Sequence, residues 1–98
     1  MSQATDQAFY DRADAHIDLA NRQIENNQEL GKVSASMTFA ATRFNAWMSA
    51  RSFKSGAEMA AAREELLTYF CEQYRMMLED NLDDHIARFE EYGVGRKG

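Results

Sequence analysis

Three residues in the middle of the chain have the types and spacing of a small ligand-binding set. Arg43, Trp47 and Arg51 follow one another at four-residue intervals, which places them along one side of a helix. Two guanidinium groups beside an indole could stack a planar or anionic ligand. The simpler interpretation places Trp47 in the core and pairs the two arginines with acidic residues of neighbouring helices. The three residues are therefore candidate ligand-binding residues with no ligand identified.

His16 and His85 are the two candidate metal ligands. Di-iron carboxylate bundles use Glu-x-x-His on a helix, because side chains three positions apart face one centre. Ala13 precedes His16 at that distance and Leu82 precedes His85, so the motif is absent at both. The aspartates two positions either side of His16 point about 200° away from it on a helix. We predict no metal and no cofactor, and a metal-dependent enzyme with a site between subunits is the remaining alternative.

No catalytic signature is present elsewhere. No serine sits in a Gly-x-Ser-x-Gly elbow, and no glycine-rich loop could cradle a phosphate. Cys71 lies among apolar residues and is expected to be a buried structural thiol that cannot form an internal disulfide. The sequence therefore leans away from an enzyme.

Composition predicts a small helical protein. The 98 residues include no proline and five glycines, and helix-forming residues dominate. Residues 1–20 lack an apolar run, so no signal peptide is expected, and no stretch is long and apolar enough to predict a membrane span. With a single cysteine, a cytoplasmic protein is the simple interpretation.

The charge of −5 is unevenly distributed. Residues 1–30 carry six acids and two bases, and residues 58–98 carry ten acids and five bases. The segment between them has no acid and four bases: Lys32, Arg43, Arg51 and Lys54. A basic helix between two acidic ones suits an internally complementary bundle. It also suits a polyanion, although the negative total charge opposes nucleic acid.

The pattern predicts an all-α fold in one domain, with three antiparallel helices completed by oligomerisation. A capping box at Ser55–Glu58 marks the start of the long third helix. The second helix has a strip of short neutral side chains, which we interpret as a packing seam, with a solvent face of small residues as the alternative. The strip includes Thr38, Thr42, Asn45 and Ser49. The expected bounds are about 5–30, 32–53 and 56–92 for the helices, and 93–98 for a tail.

The first predicted helix has a cap at each end and one apolar stripe. Thr5 or Ser2 can cap its N-terminus, and Gly31 is expected to follow its last turn in left-handed conformation. The stripe consists of Phe9, Tyr10, Ala13, His16, Ile17, Ala20 and Ile24.

The third helix predicts self-association. Its apolar seam has heptad spacing with one extra four-residue step, a stutter, around Leu78. Because this helix is longer than its partners, its end needs a second chain, or a break near Asn81 that folds it back. The seam residues are Leu67, Cys71, Tyr74, Leu78, Leu82, His85, Phe89 and Tyr92.

Several segments resemble, in matching order, a small proteobacterial family catalogued as domain of unknown function 3144. The segments are Arg12-Ala13-Asp14 leading to Leu19-Ala20-Asn21, Gly31-Lys32-Val33-Ser34-Ala35-Ser36, Ala41-Thr42-Arg43-Phe44-Asn45-Ala46, and Glu72-Gln73-Tyr74-Arg75 to Asn81-Leu82-Asp83-Asp84. The resemblance implies a short cytosolic bacterial protein and brings no activity or cofactor. Trp47 stands where that family suggests phenylalanine.

We therefore predict a cytoplasmic homo-oligomer that acts as a binding or scaffold module rather than an enzyme. The alternative is polyanion or nucleic-acid binding through the basic central helix. The sequence identifies no partner.

Overall fold

The computed structural model describes residues 6–25 and 29–92, and within these ranges every regular element is a helix. The helices are α1 (Gln7–Glu25), α2 (Leu30–Ala50), α3 (Gly56–Ala61), α4 (Arg63–Ala87) and α5 (Phe89–Tyr92). The all-α prediction is confirmed. Five helices, rather than three, make up the described part of the chain because the long third helix is divided into three pieces.

The chain divides into two compact units, Met1–Ser52 with α1 and α2, and Phe53–Gly98 with α3, α4 and α5. In the first unit α1 packs against α2. The single domain, the antiparallel three-helix arrangement and the oligomer remain predictions. The predicted tail, 93–98, lies outside the described residues.

Asp6 caps the N-terminus of helix α1. The Asp6 carboxylate accepts a hydrogen bond from the Phe9 amide at 2.8 Å, as N-cap side chains do. The proposed caps Thr5 and Ser2 lie outside the described residues. The expected apolar stripe is only partly covered, since Phe9, Ala13, Ala20 and Ile24 are half-buried while other stripe residues are exposed.

Helix α2 begins two residues earlier than predicted. Gly31 was expected to end the first helix in a left-handed conformation, but it lies within the first turn of α2. Glu29 is the N-cap, in extended conformation and without a side-chain capping bond. A glycine in an α-helix costs only about 1 kcal/mol relative to alanine, so one glycine in the first turn does not stop the helix.

The neutral strip of α2 is covered only toward its C-terminal end. Ser49 is buried and Asn45 half-buried, whereas Thr38 and Thr42 are exposed. The hydroxyl of Thr38 donates to the Ser34 carbonyl at 3.1 Å, and that of Thr42 donates to the Phe39 carbonyl at 2.8 Å. The hydroxyl donors of these two side chains are therefore satisfied by the helix backbone.

The capping box at the start of α3 is present. The Glu58 amide donates to Ser55 Oγ at 3.0 Å, and Ser55 has the extended conformation of an N-cap. The Glu58 carboxylate reaches back to the Lys54 amide at 2.6 Å, one residue beyond the N-cap amide of the usual motif. Both ends of this short motif thus bind amides that the helix itself cannot pair.

Ser55→Ala is expected to lower the free energy of unfolding by about 1 kcal/mol, because the Glu58 amide loses its acceptor. Urea titration followed by circular dichroism measures the change. Ser52→Ala is the matched control, since Ser52 is an exposed serine nearby with no capping role. Equal losses in both variants would contradict the capping role.

The long third helix is interrupted at Ala62 and Arg88 and continues through Asn81, so the suggested break near Asn81 is wrong. The Asn81 side chain donates to the Met77 carbonyl at 2.9 Å, which keeps it along the helix. Arg88 leaves helical geometry, with φ −118° and ψ 33°. Nothing in the local sequence explains the interruption at Ala62.

Candidate interaction surfaces

An open concave patch runs along α2, and we name it the α2 cleft. Two of the three predicted ligand-binding residues, Arg43 and Trp47, lie in it. Two alanines and four larger side chains line it. Its lining residues are Phe39, Ala40, Arg43, Phe44, Ala46 and Trp47.

Arg51, the third predicted ligand-binding residue, contacts Trp47 beside the α2 cleft. The Arg51 guanidinium carbon lies 5.3 Å from the Trp47 ring centroid, within cation–π range. The Phe44 and Trp47 rings are 5.6 Å apart at a tilt of 41°. Trp47 is 56% exposed, so it is not the core residue of the simpler interpretation.

Within residues 6–25 and 29–52, Arg43 and Arg51 make no ion pair. The predicted pairing with acidic residues of the first helix is therefore not seen there, and pairing with the third helix stays a prediction. Lys32 lies 4.0 Å from Glu29. From Lys32 to Arg51 the helix rises about 28 Å, so these charges are spread along α2 rather than gathered at one point.

A second surface lies in the other unit, where the predicted apolar seam runs along α4 into α5. We name it the α4 seam. Its side chains are exposed, including Leu78 at 41% and Tyr74 at 56%. Cys71 is also exposed, so the prediction of a buried thiol is wrong. The seam consists of Leu67, Cys71, Tyr74, Leu78, Leu82, His85, Phe89 and Tyr92.

The less exposed side of α3 and α4 is a different stripe, about 100° around the helix from the α4 seam. The half-buried residues there are Met59, Ala62, Leu66, Phe70 and Gln73. Leu66 and Phe70 are four residues apart, the same step as in the seam, so periodicity alone could not rank the two stripes.

A family model, described as a protein of unknown function (DUF3144), matches residues 9–86. The chain belongs to the DUF3144 family. The NMR structure of the protein NB7890A from Shewanella sp. is similar to it, with 38% identity and a TM-score of 0.76. That match covers 97% of this chain and 100% of the Shewanella chain. No curated protein matches the chain.

Membership of DUF3144 confirms the resemblance inferred from the sequence and assigns no activity. The matched region includes α2 entirely and α4 up to Ile86, so both surfaces belong largely to the family domain. None of the helices in the described residues combines the length and hydropathy needed to cross a bilayer.

The two histidines of this DUF3144 protein lie in different units and are both exposed. His85 Nδ1 lies 2.9 Å from the Asn81 carbonyl oxygen, and its ring stacks on Tyr92 with centroids 4.4 Å apart. Across residues 6–25 and 29–92, no group of three His, Cys, Asp or Glu side chains could hold a metal ion.

A polar cluster closes the end of α4. Tyr92 Oη donates to Asp84 Oδ2 at 2.5 Å, and Arg88 binds Glu91 at 2.6 Å and Asp84 at 3.4 Å. The hydrogen bond from Tyr92, followed by the charges of Arg88 and His85, lowers the pKa of Asp84. The same hydrogen bond raises the pKa of Tyr92. Within this cluster Arg88 pairs with both carboxylates, and the Tyr92 hydrogen bond to Asp84 links α5 to the end of α4.

Proposed function

We propose that this DUF3144 protein is a self-associating helical module, a dimer or larger, that acts by binding rather than by catalysis. The α4 seam is the observation that supports the proposal. Large apolar side chains follow one another along the exposed side of α4, where a protein acting alone would carry charged and polar groups.

The magnitude of the exposed apolar surface favours association. Val33 is the one buried hydrophobic residue in the described part of the chain, at 6% exposure. Removal of apolar surface from water contributes about 25 cal/mol per Å², and it is set against the loss of translational and rotational freedom and the ordering of side chains on association. An apolar stripe along the whole of α4 therefore favours pairing of moderate affinity.

Charge supports the same proposal. Helix α4 carries seven acidic and two basic residues, and this net negative charge favours solubility. The charged residues lie outside the seam, apart from its histidine. Charged flanks around an apolar stripe are the usual composition of helix–helix interfaces, where the stripe supplies affinity and the flanks supply specificity.

Native mass, measured by light scattering on a size-exclusion column, tests the proposal. At roughly 100 µM protein we expect a dimer or larger species, because this concentration populates even a dimer with a dissociation constant in the micromolar range. A monomer of 11.2 kDa at that concentration would overturn self-association.

Polyanion binding at the α2 cleft is the second candidate function, favoured by Arg43 in the cleft and Arg51 beside it, neither of which pairs with an acid within residues 6–25 and 29–52. Trp47 is the single tryptophan of the chain, so its fluorescence reports on this surface alone. Addition of heparin is expected to change that fluorescence in low salt, and Arg43→Ala with Arg51→Ala is expected to abolish the change. An equal response from the double variant would exclude the arginines as the binding groups.

A further inference from the structure

The spacing of the α4 seam is the same in both directions from Leu78. Toward the N-terminus, Tyr74, Cys71 and Leu67 lie 4, 7 and 11 positions away. Toward the C-terminus, residues at the same separations are also seam residues: Leu82, His85 and Phe89. The stutter that interrupts the heptad pattern is thus the centre of a symmetric arrangement.

A symmetric arrangement of this kind is what a two-fold axis through Leu78 requires. In a two-fold interface the same patch serves both copies, so each residue on one side of the axis meets its counterpart from the other side. Antiparallel α4 helices would place Leu78 opposite Leu78 and Cys71 opposite His85. Tyr74 would lie opposite Leu82. An uninterrupted heptad pattern would fit several registers, whereas the four-residue steps on both sides of Leu78 select one antiparallel register.

A parallel pair in register would also align the stutter, and charge decides between the two orientations. Residues 63–77 carry three acids and two bases, a net charge of −1. Residues 79–92 carry six acids and one base, a net charge of −5. A parallel pair superposes the two most acidic halves, whereas an antiparallel pair sets each acidic half against a nearly neutral one. Antiparallel helix dipoles add to the preference.

We infer that the α4 seam pairs with the α4 seam of a second copy, antiparallel and centred on Leu78. This inference rests on the proposed self-association and names its interface. The two exposed seams together offer on the order of 1,000 Å², near the lower limit for a specific interface, which suits reversible pairing of two copies.

Cross-linking through cysteine tests the register. In the antiparallel pair the two Cys71 side chains lie about 21 Å apart along the axis, too far for a short bismaleimide, whereas Cys71 meets position 85 of the other copy. His85→Cys is therefore expected to give a cross-linked dimer, and the unchanged protein is expected to give none. The matched control is His85→Cys combined with Cys71→Ser, whose remaining thiols are again about 21 Å apart and should not be joined.

A second pair of cysteine substitutions leaves His85 unchanged and so keeps the contact between the His85 and Tyr92 rings. Tyr74→Cys with Leu82→Cys, in a Cys71→Ser background, is expected to cross-link equally well. Cross-linking of the unchanged protein through Cys71 would overturn the antiparallel register. An oligomer by light scattering that neither cysteine pair cross-links would overturn the α4 interface and leave self-association intact. A monomer by light scattering, with no cross-linking, would overturn both.

Discussion

Leu78→Glu is expected to convert the self-associated protein into a monomer. Leu78 lies at the proposed two-fold axis, so one substitution brings two carboxylates together in an apolar layer. Burial of an unpaired charge costs several kcal/mol, and both copies bear the cost. We expect the association constant to fall by at least roughly 1,000-fold, or about 4 kcal/mol, measured by sedimentation or light scattering over a concentration series.

Met76→Glu is the matched control for this substitution. Met76 is also a large apolar side chain on α4 and is 56% exposed. It lies about 160° around the helix from Leu78, away from the α4 seam. We expect Met76→Glu to keep the native mass of the unchanged protein. Dissociation by both substitutions alike would mean that added charge, rather than the seam, controls association.

The unfolding temperature is expected to rise with protein concentration. Only folded chains associate, so a higher concentration shifts the folding equilibrium toward the folded state. For a dimer, a 100-fold increase in concentration stabilises the assembly by about 2.7 kcal/mol. For two chains of this length, that gain corresponds to roughly 6 °C in the midpoint of thermal unfolding. Circular dichroism at both concentrations, in cells of different path length, measures the shift.

The Leu78→Glu variant provides the comparison for the thermal experiment. Its midpoint is expected to be independent of concentration, since a monomer unfolds in a first-order equilibrium. A midpoint of the unchanged protein that stays constant over the same range would contradict association in the folded state. A shift that survives Leu78→Glu would place the interface elsewhere on the molecule.

The features predicted best from the sequence depend on neighbours along the chain. The helical class follows from composition and periodicity, and the capping box at Ser55 needs only residues three and four positions away. The approach of Arg51 to Trp47 likewise follows from their four-residue spacing. These interactions form within one helix or its cap and therefore appear directly in the residue order.

The features predicted poorly depend on which side of a helix is covered. Cys71 was expected to be buried because it lies in an apolar stripe, yet that stripe is exposed and the neighbouring one, with Leu66 and Phe70, is half-buried. Two apolar stripes of equal period compete on α4, and periodicity cannot decide between them. The end of the long helix at Arg88 similarly depends on a side-chain cluster around Asp84 rather than on any helix-breaking residue.

The backbone hydrogen bonds of Thr38 and Thr42 lower the cost of removing water from the neutral strip of α2. Because the hydroxyls of Thr38 and Thr42 donate to carbonyls of their own helix, an approaching surface meets their methyl groups and the lone pairs of the hydroxyl oxygens. Covering these side chains leaves neither hydroxyl donor unpaired, so the dehydration cost is lower than for a hydroxyl that donates to water. Hydropathy scales rate threonine as a polar residue and therefore overestimate the dehydration cost of this face of α2.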